Sequence, residues 1–229
     1  MEGGSSEPPR ATIRQRRTAT AGGPRGSALQ TATTATTATT RGRPASERRN
    51  HKMEKGVVIW FTGVPASGKS TLATGVQQQL EELGLPVENL DADEVRANLS
   101  PNLGFTEEAR DENTKRLAWF AQKMSTYGAN VVIAAVAPMQ RYRDRAREWC
   151  DKFVEVHVHC PLSVCQQRDP KGLYARAARG EINDIAGMHQ PYEVPERPEV
   201  RVSTDQCSIE EGVELVMAKL AELGYLNGQ

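Results

Sequence analysis

Residues Gly63-Val64-Pro65-Ala66-Ser67-Gly68-Lys69-Ser70-Thr71 fit G-x-x-x-x-G-K-[ST], and both flanks of the match are those the pattern requires. The apolar run Val57-Val58-Ile59-Trp60-Phe61-Thr62 leads into it, and a helical stretch, 72–83, follows. In a strand–loop–helix setting the loop's N–H groups cradle phosphates at a helix N-terminus. The lysine reaches the β- and γ-phosphates and the hydroxyl ligates Mg²⁺. Lys69 and Ser70 occupy those places, so the chain is expected to bind a nucleoside triphosphate. A loop matching by chance has no reason to carry both flanks.

From residue 55 onward strand and helix patterns alternate. Strand-like runs cover 57–62, 87–91, 130–136, 153–158 and 200–203, with helical patterns at 69–83, 107–127, 140–150 and 208–223. Thr106 with Glu107 and Glu108 forms an N-cap and acidic first turn. The expected fold is α/β, a P-loop NTPase three-layer sandwich with a parallel sheet of about five strands and helices on both faces. Ligands of such sheets bind beyond the carboxyl ends of the strands.

Composition changes near residue 52. Residues 1–52 carry ten basic side chains against three acidic ones, so +7 there balances −7 in 53–229, and the net charge of zero is a cancellation. The tail has no aromatic and almost no large aliphatic residue and repeats Ala-Thr-Thr, a composition expected to stay disordered. Three readings remain open for it: an organelle transit peptide, a basic arm, or an extension before a start at Met53. The body, 53–229, is expected to be one domain. No apolar run approaches the ~18 residues that span a bilayer. Four cysteines in a chain of 229 residues suggest reduced thiols, and hence the cytoplasm, or a plastid if the tail is a transit peptide. Neither nucleic acid nor membrane is expected as a partner. His157, His159, Cys160 and Cys165 could suggest a metal, but without a C-x-x-C pair they read as ordinary strand and loop residues.

The most apolar internal strand ends in Val136-Ala137-Pro138 and offers no acid for Mg²⁺, whereas the run at 87–91 ends in Asp91-Ala92-Asp93. Two carboxylates there could divide the work, one organising Mg²⁺ and one orienting or deprotonating a hydroxyl. The alternative is a turn in which Asp93 merely caps a helix at 94–98. Arg96, Phe105, Arg110 and Asn113 follow. Arg110 and Asn113 share a helix face, arginines suit phosphate or sulfate oxygens, and Phe105 could stack on a base. A solvated charged helix with Phe105 in the core is the competing reading. The basic segment from Arg168 to Gly180 suits a lid over phosphates or, equally, a solvated helix.

Taken in order, Asp91-x-Asp93-x-x-Arg96, Leu103-Gly104-Phe105, Arg110-x-x-Asn113, Asp169-Pro170-Lys171-Gly172-Leu173-Tyr174, Gly180-Glu181-Ile182 and Pro191-Tyr192-Glu193 resemble the adenylylsulfate kinase family. The resemblance spans about 56–223. It implies transfer of the ATP γ-phosphoryl to the 3′-hydroxyl of adenylylsulfate, with Mg²⁺ accompanying ATP, in a homodimer. It further implies that Gly63 to Thr71 and Arg168 hold ATP, that Ser70 and Asp91 serve the metal, and that Lys69, Asp91 and Asp93 are catalytic. Adenylylsulfate would lie against Asp93, Arg96, Phe105, Arg110, Asn113, Val136, Ala137, Lys171, Leu173 and Ile185. Three departures stand out. Ala92 replaces a common glycine. Ala137 replaces a serine linked to a phosphoenzyme form, leaving direct in-line transfer. Ile185 replaces the second aromatic wall expected against the substrate adenine, a contact worth on the order of 1–3 kcal/mol. A same-fold kinase for another nucleotide-linked hydroxyl, or a non-catalytic nucleotide-binding module, are the alternatives.

Overall fold

The computed structural model describes residues 54–226. The tail 1–52 and its three readings, with the start at Met53, lie outside the described residues. Chain order is β1 (Val58–Thr62), α1 (Lys69–Glu82), β2 (Val87–Asp91), α2 (Ala92–Leu99), α3 (Glu107–Thr126) and β3 (Asn130–Ala134). There follow α4 (Gln140–Trp149), β4 (Phe153–His159), α5 (Leu162–Arg168), α6 (Leu173–Ala178), β5 (Val200–Ser203) and α7 (Ile209–Glu222). Among the described residues five parallel strands form one sheet in the order β2-β3-β1-β4-β5. Its middle strands β3 and β1 are buried at every position, as a parallel sheet covered on both faces requires.

The strand period of two divides β1 between two apolar clusters. Ile59 and Phe61 point to the side where Leu72, Val76 and Leu80 of α1 meet Val213, Val216 and Leu220 of α7. Val58 and Trp60 point the other way, among Leu117 and Ala121 of α3 and Tyr142 and Ala146 of α4. This is the expected three-layer sandwich, with both faces of the sheet sealed.

Three local expectations are corrected. β3 stops at Ala134 rather than 136, because the chain turns away and Ala137 adopts a φ of 40°. The cap of the helix after β2 is Asp91, not Asp93: α2 begins at Ala92, and the Asp93 N–H donates to Asp91 Oδ1 at 2.9 Å. The basic segment at 168–180 is neither one lid loop nor one helix. The last turn of α5 and all of α6 are separated by Asp169, whose carboxylate accepts the Tyr174 and Ala175 N–H groups at 3.2 and 2.9 Å. The Thr106 cap of α3 is as expected, its hydroxyl accepting the Ala109 N–H.

Candidate active site

The nucleotide loop between β1 and α1 owes its shape to two glycines. A Cβ on Gly63 would lie 2.4 Å from the Val158 carbonyl oxygen, so β4 passes too close for any side chain. Gly68, with a φ of 99°, turns the chain in the left-handed region to start α1. Lys69 follows at once. Its ammonium is buried and donates to the Val64 carbonyl at 2.8 Å. Burial pushes its pKa down to about 8, against the pull of Cys165 and the carboxylates of Asp93 and Asp91. Ser70 donates its hydroxyl to Asp91 Oδ2 at 3.2 Å, which brings the loop's hydroxyl and the β2-end carboxylate together. These are hard oxygen donors, few in number, and such a pair fits a Mg²⁺ ion whose other ligands are water and phosphate oxygens.

A cavity of about 790 Å³ opens over these groups, within the range of small-molecule sites. Of the expected ATP residues, Pro65, Ala66, Gly68, Lys69, Ser70, Thr71 and Arg168 line it; Gly63, Val64 and Ser67 shape the loop from behind. Arg168 is fixed by Thr204: Nη1 and Nη2 donate to the Thr204 hydroxyl and carbonyl at 3.0 and 2.6 Å. The Thr204 hydroxyl also lies 2.8 Å from the Ser67 carbonyl, to which it donates. Tyr174 of α6 donates to the Pro65 carbonyl at 3.0 Å, docking the segment after α5 onto the loop.

Asp91, Asp93, Phe105, Arg110, Val136, Lys171, Leu173 and Ile185 complete the wall from the expected metal, catalytic and acceptor set. The Lys171 ammonium pairs with the Asp93 carboxylate, and that bond holds the Lys171 pKa above the ordinary lysine range. Phe105 is 48% exposed, with the Arg96 guanidinium 4.6 Å and the Arg110 guanidinium 5.3 Å from its ring centroid. Arg110 Nε donates to the Phe105 carbonyl at 3.0 Å and to Gln190 Oε1 at 3.1 Å, while Nη2 donates to the Asp184 carbonyl at 2.6 Å. Desolvation lowers the pKa of both guanidiniums.

Three expected acceptor residues stand back from the cavity. Arg96 braces the loop that follows α2 through the Leu103 and Gly104 carbonyls. Asn113 is buried in α3, its Oδ1 without a protein partner. Ala137 is buried behind Val136. Ile185 does line the cavity, yet it is only 4% exposed and packs with Cys165, Tyr174 and Ala177. His157 and His159 lie on β4, and His157 stacks on Tyr192 at 6.3 Å. Among the described residues no three His, Cys, Asp or Glu side chains converge to hold a metal.

Sequence reasoning missed Thr204, Asp184 and Gln190, and took Tyr174 and Tyr192 only as parts of a resemblance. Thr204 follows the carboxyl end of β5, so the strand-end rule applied to the last strand would have found it. No local signal marks Asp184 and Gln190, because each matters through contact with Arg110.

Comparison with known proteins is consistent with this geometry. The sequence profile of the family described as Adenylylsulphate kinase matches residues 55–203. The adenylyl-sulfate kinase of Synechococcus sp. (strain JA-3-3Ab) is 47% identical over 172 residues, which cover 75% of this chain and 98% of that protein. The probable adenylyl-sulfate kinase of Pyrococcus abyssi is 43% identical over 172 residues, covering 75% and 99%. Among solved structures, the Mycobacterium tuberculosis APS kinase CysC, in complex with AMPPNP and APS, is 37% identical with a TM-score of 0.70, covering 73% of this chain and 98% of that one. With the P-loop, the Ser70–Asp91 pair and the Asp93–Lys171 pair meeting in one cavity, the chain belongs to the adenylylsulphate kinase family.

Proposed function

We propose that this chain transfers the γ-phosphoryl of ATP to the 3′-hydroxyl of adenylylsulfate, giving 3′-phosphoadenylylsulfate and ADP. The observation that carries the assignment of roles is the meeting of two sets of groups in one cavity. Lys69 and the Ser70–Asp91 pair stand on one side, and Asp93, Lys171, Phe105 and Arg110 on the other.

In this reading the loop N–H groups and Lys69 hold the ATP phosphates, and Lys69 neutralises charge that grows on the transferring group. Ser70 and Asp91 would hold Mg²⁺, which would supply neutralisation of the phosphate charge. Asp93 accepts the proton of the attacking 3′-hydroxyl as the new O–P bond forms and the bond to the β-phosphate oxygen breaks. Lys171 orients the Asp93 carboxylate and faces the acceptor. Phe105 stacks on the acceptor adenine and Arg110 faces its anionic groups. Arg96 acts from behind, by bracing the Phe105 loop, and Asn113 lies buried in α3 behind the same wall. Ala137 has no hydroxyl to carry a phosphoryl, so transfer is direct and in line.

We assign the activity to residues 53–229, treat 1–52 as an appendage, and expect a homodimer acting in the cytoplasm, or in a plastid if 1–52 directs import. Among the described residues no helix is long and apolar enough to cross a membrane. Neither nucleic acid nor a membrane is a partner in this reading. The test is ADP release by the full chain with and without adenylylsulfate, beside other nucleotides bearing a free 3′-hydroxyl. Adenylylsulfate-dependent ADP release is expected, with 3′-phosphoadenylylsulfate formed in equal amount. Faster turnover of another nucleotide would reassign the acceptor. Removal of 1–52 should leave both KM values unchanged.

A further inference from the structure

Arg143 has no part in the chemistry above, yet it is fully buried on α4 and bonds the carbonyls of two loops, one of which carries Val136 and the other Ile185 on the cavity wall. Its Nε donates to Glu155 Oε1 at 2.7 Å. Nη1 donates to the Ala137 carbonyl at 2.6 Å, and Nη2 to the Glu193 carbonyl at 2.7 Å and Gln140 Oε1 at 2.6 Å. The pairing of Glu155 continues through Arg147 to Glu199. Desolvation offsets much of the attraction in a buried ion pair, so its stability value does not by itself explain why one sits here. What the guanidinium fork does accomplish is to join two backbone carbonyls from loops far apart in sequence.

The first loop follows β3. Ala137 lies there at a φ of 40°, a region that a residue with a Cβ occupies only when its surroundings hold it. Its neighbour Val136 lines the cavity and accepts the Thr62 hydroxyl at 2.6 Å. The second loop is 184–193. Its near end is bound to the first: the Glu193 N–H donates to the Pro138 carbonyl at 2.8 Å, and the Gln140 N–H to the Glu193 carboxylate at 2.5 Å. The Tyr192 hydroxyl lies 3.2 Å from that of Thr62. The far end carries Ile185 on the cavity wall and is tied to Arg110 through Asp184 and Gln190.

We propose that Arg143 is a positioning residue for the acceptor side of the cavity. It clamps the carbonyls of Ala137 and Glu193 together, which sets the backbone path of both loops and so places Val136 and Ile185 opposite Phe105 and Arg110. The proposal rests on the assignment of that wall to the acceptor. Arg143 itself bonds no residue of the nucleotide loop, which meets the 184–193 segment only through packing at Val64 and Ala66, so the larger effect falls on the acceptor.

The test measures Kd for adenylylsulfate and for ATP by calorimetry, with KM and kcat alongside, on the full chain. Arg143→Lys keeps a cation opposite Glu155 but has no planar fork to bond a carboxylate and two carbonyls. It should raise the adenylylsulfate Kd and KM by about tenfold and leave the ATP Kd within about twofold. Adding Ala137→Gly, which frees position 137 from its need to be held, should recover part of that loss. If Arg143→Lys does not fold, Glu193→Ala decides. Glu193 is exposed, and losing its bond to Gln140 should weaken adenylylsulfate by about threefold with ATP again unaffected. A lower melting temperature with both affinities unchanged, or both weakened together, would overturn the proposal. Phe105→Ala is run in parallel. If it leaves adenylylsulfate affinity unchanged, the acceptor assignment itself has failed. If it weakens adenylylsulfate while Arg143→Lys and Glu193→Ala do not, the clamp alone is wrong.

Discussion

Of the wall we assign to ATP, six residues come from one loop, 63–71, joined by Arg168, whereas the wall we assign to the acceptor is gathered from five separate segments around Asp93, Phe105–Arg110, Val136, Lys171–Leu173 and 184–186. Lys69 is 8% exposed and bonds a carbonyl five residues away; Phe105 is 48% exposed and lies against guanidiniums whose other partners are up to 80 residues distant. A contiguous loop has its geometry written into φ/ψ preferences and close backbone approaches, at Gly68 and Gly63. A wall gathered from distant segments depends on every contact between them. In the reading proposed here, phosphate binding is the locally encoded half of the site, and acceptor recognition is the half that depends on contacts between distant segments.

The strongest way to break that comparison is Lys69→Ala. Removing the ammonium should lower kcat by at least ~10²-fold while the adenylylsulfate Kd stays close to its original value. Single-turnover kinetics with calorimetry would measure both, and near-normal turnover would remove the loop from the mechanism.

On the acceptor side the expected effects are smaller and confined to one ligand. Arg110→Ala severs bonds to Phe105, Asp184 and Gln190 at once and should weaken adenylylsulfate by about 2–3 kcal/mol. Phe105→Ala removes only the stacking surface and should cost about 1–2 kcal/mol. Both should leave the ATP Kd unchanged; equal weakening of ATP would mean the two walls are not separable.

A pH titration sharpens the donor half. The Lys69 pKa is depressed to about 8 by burial, and bound phosphates favour the charged ammonium, so the pKa must rise in the complex. ATP binding above pH 8 then takes up a proton, and affinity should fall as pH rises, by up to about tenfold per pH unit. Below pH 8 the lysine is already charged and its contribution should be flat. Calorimetry in buffers of different ionisation enthalpy would detect the uptake, and Lys69→Met should abolish it.

The smallest change expected in acceptor affinity comes from Ile185→Phe. An aromatic here would restore a second wall against the adenine, but Ile185 is already packed with Cys165 and Tyr174. Overpacking should lower stability by about 1–3 kcal/mol, and the gain in adenylylsulfate affinity should stay below about 1 kcal/mol. A large gain without loss of melting temperature would show that the wall has room to spare.

Much of the fold was legible because its signals are local. The runs at 57–62 and 130–136 are apolar at nearly every residue that the structure buries on both faces of the sheet, Thr62 and Asn130 excepted, and the Thr106 cap declares the start of α3. Asp91 was legible as a strand-end carboxylate, but its double duty, capping α2 through one oxygen and meeting Ser70 through the other, was not. At the division after α5, Pro170 and Gly172 are helix-breaking signals within the sequence, but the capping of α6 by the Asp169 carboxylate was not legible.

By itself the sequence determined the nucleotide loop, the alternation that makes a parallel sheet, and the order of motifs shared with the adenylylsulphate kinases. Each is encoded within a few residues by backbone sterics, side-chain period or chemical type. Tertiary structure alone decided that Arg96 and Asn113 stand behind the cavity, that Thr204 fixes Arg168, and that Arg143 joins the loops at 137 and 193. A buried polar side chain is stable only where donors and acceptors from other segments meet it, and those partners exist only once the chain has folded.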